Sequence, residues 1–133
     1  MSVSGIRKEL ERALKTISGL RVFDTAPDSI KQLPAAYILP LTGDYHHALG
    51  GGMVHTFEVV LLVSRAPGLE KAQEVLDEYL SESGSKSIIA ALEDADLGDH
   101  GDTVEVKGYH SYGGLEYGDT LFIGCKFAVE VVV

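Results

Sequence analysis

The sequence predicts an α+β domain: an antiparallel or mixed β-sheet of about five strands with two main helices packed on one face. Three observations lead there. Apolar residues recur at helical spacing in two stretches, 6–17 and 69–80. They alternate at strand spacing from Phe57 to Val63, and again without a break from Leu121 to Val133. The elements fall in the order α-β-β-β-α-(α)-β-β, and their turn-rich connections lack the regular strand–helix alternation of a doubly wound parallel sheet. At 133 residues there is room for one hydrophobic core, so 1–133 reads as a single domain.

In the first helix, Ile6, Leu10, Ala13, Leu14 and Ile17 form the apolar stripe. Ser2 or Ser4 supplies a cap and Gly19 a stop. Leu20 to Phe23 is a short strand, closed by the turn-forming cluster Asp24-Thr25-Ala26-Pro27-Asp28. Leu33-Pro34 disfavours helix, and Ala35 to Leu41 reads as the second strand.

Thr42 to Met53 is a polar, glycine-rich loop whose Gly50, Gly51 and Gly52 are costly to order without a partner. The long strand that follows puts Phe57, Val59, Leu61 and Val63 on one face. Val60 and Leu62 make its other face apolar too, which requires a cover from helices or another subunit.

Pro67 suits the first turn of the next helix, where Leu69, Ala72, Leu76, Tyr79 and Leu80 form the stripe and Gly84 the stop. Ser85 or Ser87 can cap a short helix running through Leu92. Glu93 to Asp102 is an acidic loop. Thr103 to Tyr112 alternates in part, and the turn signals Gly113-Gly114 and Gly118-Asp119 suggest a projecting hairpin tip. The last strand carries Leu121, Ile123, Cys125, Phe127, Val129, Val131 and Val133 on one face, with Lys126 and Glu130 on the other. Its apolar end, Val131 to Val133, reads as an open strand suited to pairing with a neighbouring chain.

Eleven Lys/Arg against 20 Asp/Glu give a formal charge of −9. An acidic surface repels phosphate, which disfavours a nucleic-acid grip or binding to an anionic membrane. No basic leader with an apolar core is evident, and the longest apolar run, Val59 to Val63, is too short to cross a bilayer. The single cysteine, Cys125, cannot form an internal disulfide and fits a reducing cytoplasm.

Motifs for chemistry are absent on inspection. Adjacent His46 and His47 point to opposite sides of an extended chain and share no ligand spacing with His55. Asp94, Asp96, Asp102 and Glu105 match four positions of a calcium loop, but the obligatory glycine is replaced by Asp99. Neither Gly50-Gly51-Gly52 nor Gly84-Ser85-Lys86-Ser87 has the spacing of a phosphate loop. No Gly-x-Ser-x-Gly elbow supports a serine nucleophile. The expectation is therefore a protein with no enzymatic activity, no cofactor and no metal.

Across almost the whole chain the layout resembles the tail terminator (minor tail, head–tail joining) proteins of siphoviruses. The blocks that carry the likeness are Gly19-Leu20-Arg21-Val22, Pro34-Ala35-Ala36-Tyr37-Ile38-Leu39-Pro40, the glycine-rich loop, the long strand ending near Ser64-Arg65, and Tyr79-Leu80…Ser83-Gly84…Ser87-Ile88…Leu92 with Leu97 beyond. The resemblance implies a virion protein made in the host cytoplasm that assembles as a ring, usually a homo-hexamer. Such a ring caps the tail tube and joins it to a head-side connector or stopper protein, with DNA passing through the lumen only as cargo. It implies no catalytic residues. Candidate contacts with a neighbouring subunit or the tube are His46, His47, Leu49 and Met53 in the loop, and Val60 and Leu62 on the second strand face. Tyr112, Tyr117, Val131, Val132 and Val133 complete the set. Another neck component, such as a head-completion or adaptor protein, and a small cytosolic ligand-binding domain are the alternatives.

Overall fold

A computed structural model describes residues 3–45, 52–95, 97 and 103–133. It contains α1 (Val3–Leu14), β1 (Arg21–Phe23), β2 (Ala35–Asp44), β3 (Val54–Val63), α2 (Leu69–Leu80), α3 (Ile88–Glu93), β4 (Thr103–Tyr117) and β5 (Thr120–Val132). The five strands form one mixed sheet in the order β1-β2-β3-β5-β4. β1 runs parallel to β2, and every other pair is antiparallel. The predicted α+β class and element order are those observed.

The core lies between the helices and one sheet face. Ile6, Leu10 and Leu14 of α1, Ala72, Leu76 and Tyr79 of α2, and Ile88 and Leu92 of α3 join Phe57, Val59, Leu61 and Val63 of β3 there. Ile123, Cys125, Phe127, Val129 and Val131 of β5 complete the layer. Strand pleating puts alternate residues on one face, so both apolar strands feed the same cluster.

Val60 and Leu62 face the other way and are nonetheless buried, at 2% and 1% exposure. Their cover comes from the chain itself. Tyr37 and Phe122 pack beside them, and Ile30, Leu33, Leu115 and Tyr117 close over the cluster. The segment after β1 and the far end of β4 thus supply the second layer that the long strand requires.

Three expectations are corrected. Thr42 to Asp44 are strand, paired with β3 after a register shift between Pro40 and Thr42. Their side chains are exposed, so hydrogen bonding rather than burial holds them, and no hydrophobic period marks them. Gly113-Gly114 is not a turn: β4 continues through it to Tyr117, and Gly118-Asp119 alone makes the connection to β5. Gly118, at φ +62°, provides the left-handed conformation that so tight a hairpin demands. Most consequentially, β5 is not open. It lies between β3 and β4, and Val132 faces both Val54 and Thr103.

Of the two candidate caps for α3, Ser87 is the one used. Its hydroxyl oxygen accepts from the Ala90 N–H at 3.0 Å and its O–H donates to the Ser81 carbonyl at 2.5 Å, with 1% of the residue exposed. Ser87→Ala removes a cap and the hydroxyl donor to the Ser81 carbonyl, so it should lower stability by about 1 kcal/mol. The denaturant midpoint should fall with an unchanged slope, whereas Ser85→Ala, at an exposed site, should leave the midpoint in place.

Candidate functional site

Several side chains able to do chemistry are buried or held in structural pairings. Cys125 is buried, and burial pushes its thiol up to about 12. Glu58, only 8% exposed, is flanked across the strands by Lys126 Nζ at 3.6 Å and His110 Nε2 at 3.8 Å. Lys107 similarly bridges Glu105 at 3.0 Å and Glu130 at 3.9 Å. These charges form a ladder on the polar half of the sheet, which offsets like-charge crowding between Glu105 and Glu130 on neighbouring strands. Among the described residues no three His, Cys, Asp or Glu side chains are grouped to hold a metal ion.

What the fold presents outward is an edge. β4 is 15 residues long and borders the sheet on one side only. Such an edge displays unpaired backbone groups and is a template for another chain. Its ladder to β5 shifts register between Val106 and Gly108 and again between His110 and Gly113. The second shift contains Ser111 in a left-handed conformation, φ +58°. Such a bulge re-aims side chains. Tyr109 pairs opposite the core residue Phe127, and Tyr112, three positions on, reaches the same helical side of the sheet. Its hydroxyl donates to Asp77 Oδ1 of α2 at 2.8 Å.

The two rings stand 6.4 Å apart, and Tyr109 remains 56% exposed. Desolvation, then the Asp77 carboxylate, pushes the Tyr112 hydroxyl up to about 12. Nearer the start of the strand, the Val106 N–H donates to Glu93 Oε2 of α3 at 3.1 Å. A carboxylate thus caps one edge group and leaves the segment around the tyrosines as the open part.

The sequence-derived contacts scatter on this framework. His46, His47 and Leu49 lie outside the described residues, as do Ser2, Asp96, Asp99 and Asp102. Met53 is half-buried, and its carbonyl accepts from the Val133 N–H at 2.9 Å. Val60 and Leu62 are covered within the chain, and Val131 is fully buried in the main core. Val132 and Val133 are half-buried. Tyr117 packs edge-on against Tyr37, with centroids 5.1 Å apart, and its hydroxyl donates to the Pro27 carbonyl. Among the described members of the set, Tyr112 is the exposed one on the edge strand β4.

Sequence reasoning missed Tyr109, Asp77 and Glu93. The signal for Tyr109 was present: a tyrosine pair bracketed by Gly108 and Gly113-Gly114 in a strand, a composition that often marks bulges. Asp77 and Glu93 carry no local signal, because their roles depend on which strand lies beside their helices.

Comparison of this chain with known protein families and with curated proteins finds no match.

Proposed function

We propose that this chain is a structural virion protein of the phage tail-terminator type, acting through contact surfaces rather than chemistry. It assembles as a ring on the end of the tail tube, ends tube growth and forms the joint to the head-side connector. The observation that carries the reading is the long exposed edge strand β4 with its tyrosine pair, on an acidic domain whose sheet charges Glu58, Lys126, Lys107 and Glu130 are engaged in cross-strand pairs. The order of sequence blocks from Gly19 to Leu97 points the same way.

In this reading strand addition supplies backbone hydrogen bonds, and the exposed rings supply apolar contact. The contact strand is β4. The end of β5, which the sequence nominated, is hydrogen-bonded on both sides and has no edge to offer. A net charge of −9 per chain makes the walls of a ring repel DNA, which suits passage better than retention.

The decisive experiment abolishes the gene in its parent phage and images the lysate by electron microscopy. Overlong or irregular tail tubes separate from filled heads are the expected result. Free tails of normal length beside emptied heads would move the protein to the head side of the neck. Intact infectious virions would remove the reading altogether, and stabilisation by small metabolites would then be measured instead.

A further inference from the structure

The charges of this chain are sorted along its sheet. Residues 1–34, which include α1, β1 and the segment after it, hold six Lys/Arg against four Asp/Glu. Residues 68–119, which include α2, α3 and β4, hold three against thirteen. β1 and β4 are the two opposite edges of the sheet. The β1 edge holds the cations Lys15, Arg21 and Lys31, and β4 carries Glu105 and Glu116 with Lys107 between them.

The cationic edge is a formed groove of about 540 Å³. Leu20, Val22 and Phe23 line it together with the cations Lys15, Arg21 and Lys31. All three cations are exposed. Lys15 lies 3.6 Å from Glu11, while Arg21 and Lys31 have no carboxylate partner among the described residues. The Arg21 N–H donates to the Pro34 carbonyl on the β2 side at 3.0 Å. Strand alternation therefore turns the N–H and carbonyl of Val22 toward the groove. The site offers one backbone donor, one backbone acceptor and three positive charges: the complement of an extended, acidic strand.

We infer that the strand it receives is the β4 edge of a second copy of this chain. That edge has open backbone around Tyr109 and Tyr112 and two exposed carboxylates, Glu105, which lies 3.0 Å from Lys107, and Glu116. Pairing β1 with β1 sets the cations of two grooves against one another; pairing β1 with β4 sets them against Glu116 and Glu105. The contact is heterologous, so each bound copy leaves one groove and one edge free. It repeats until rotation closes a ring or continues as a filament. The inference rests on the proposed function only in taking self-assembly as the mode of action.

Sedimentation velocity of the full chain at low ionic strength tests it. The wild type should associate beyond dimers, less so as salt screens the exposed charges. Arg21→Glu with Lys31→Glu blocks the groove, and Glu105→Lys with Glu116→Lys blocks the edge. Each pair, at exposed positions, should weaken association about tenfold or more. A mixture of the two blocked proteins retains one working contact and should stop at dimers.

A second readout does not depend on charge. Arg21→Cys with Glu116→Cys, on strands separated by three others and in a chain whose own thiol is buried, should give an oxidised ladder beyond dimers, and either change alone only pairs. A wild type that stays monomeric up to about 1 mM, or blocked proteins that associate as the wild type does, would overturn the inference. So would a mixture that grows beyond dimers. If association follows these rules but loss of the gene leaves virions intact, the contact stands and the proposed function falls. A tail defect with a protein that never self-associates gives the reverse.

Discussion

Gly124→Ala should unfold the protein or lower its stability by about 3 kcal/mol or more. A Cβ built on Gly124 would lie 2.0 Å from the Leu61 carbonyl oxygen and 3.1 Å from both the Leu61 carbonyl carbon and Leu62 Cδ2. The first two are backbone atoms of β3, and they cannot turn aside as a side chain can. Relief requires the β3–β5 ladder to part at the centre of the sheet, where Leu62 faces Gly124. Set against a typical total of about 5–15 kcal/mol, a loss of that size is a large share.

Gly108→Ala is the matched control. Gly108 also lies within a strand, but nothing stands within 4 Å of its added Cβ, so its melting temperature should stay close to that of the wild type. A Gly124→Ala protein that melts with the wild type would show that the two strands do not approach so closely.

Alkaline pH should unfold the protein cooperatively as it rises from about 9 toward 12. Burial is the main cause for the five raised thiol and phenol groups. It pushes Cys125 and Tyr112 up to about 12, and it raises Tyr37, Tyr79 and Tyr117 above their ordinary value. The neutral, protonated form is the one the fold accommodates, because water no longer solvates the anion. The folded state therefore holds these protons more tightly than the unfolded chain. Their stabilising contribution is complete below the unfolded values, near 9.0 for the thiol and 10.0 for the phenols, and is lost as pH climbs through the raised ones.

A step in tyrosinate absorbance should coincide with the loss of ellipticity. Full ionisation of all six tyrosines with ellipticity unchanged would refute the account. Tyr37 and Tyr117 sit in the smaller cluster and Tyr79 in the main core, so their ionisation reports on both layers.

Much of this architecture was legible beforehand, and the parts that were share one property. The stripe Ile6, Leu10, Leu14 and Ile17 is buried as its spacing requires, and so is the run from Ile123 to Val131. Where the reading failed, side-chain pattern had stopped carrying the information. Leu69 belongs to the helical stripe but is 60% exposed, because it opens α2 beyond the reach of the sheet. Thr42 to Asp44 extend β2 through its backbone ladder to β3, and Gly113-Gly114 passes through a bulge that resembles a turn in sequence.

The candidate site was less legible than the fold. Val60 and Leu62 were correctly marked as needing a cover, but nothing local could indicate that Ile30, Leu33, Leu115 and Tyr117 provide it. The strong alternation of Val129 to Val133 made the C-terminus read as an exposed edge, whereas β5 is enclosed by two neighbours. Side-chain periodicity reports which face of a strand meets the core, because each residue's burial is written in its own chemistry. It cannot report which edge is free, because edges are made of N–H and C=O groups that nearly every residue carries alike. The sequence by itself determined the elements, their inward faces and the acidity. Only the tertiary structure decided the strand order, and with it placed β1 and β4 at the two ends of the sheet.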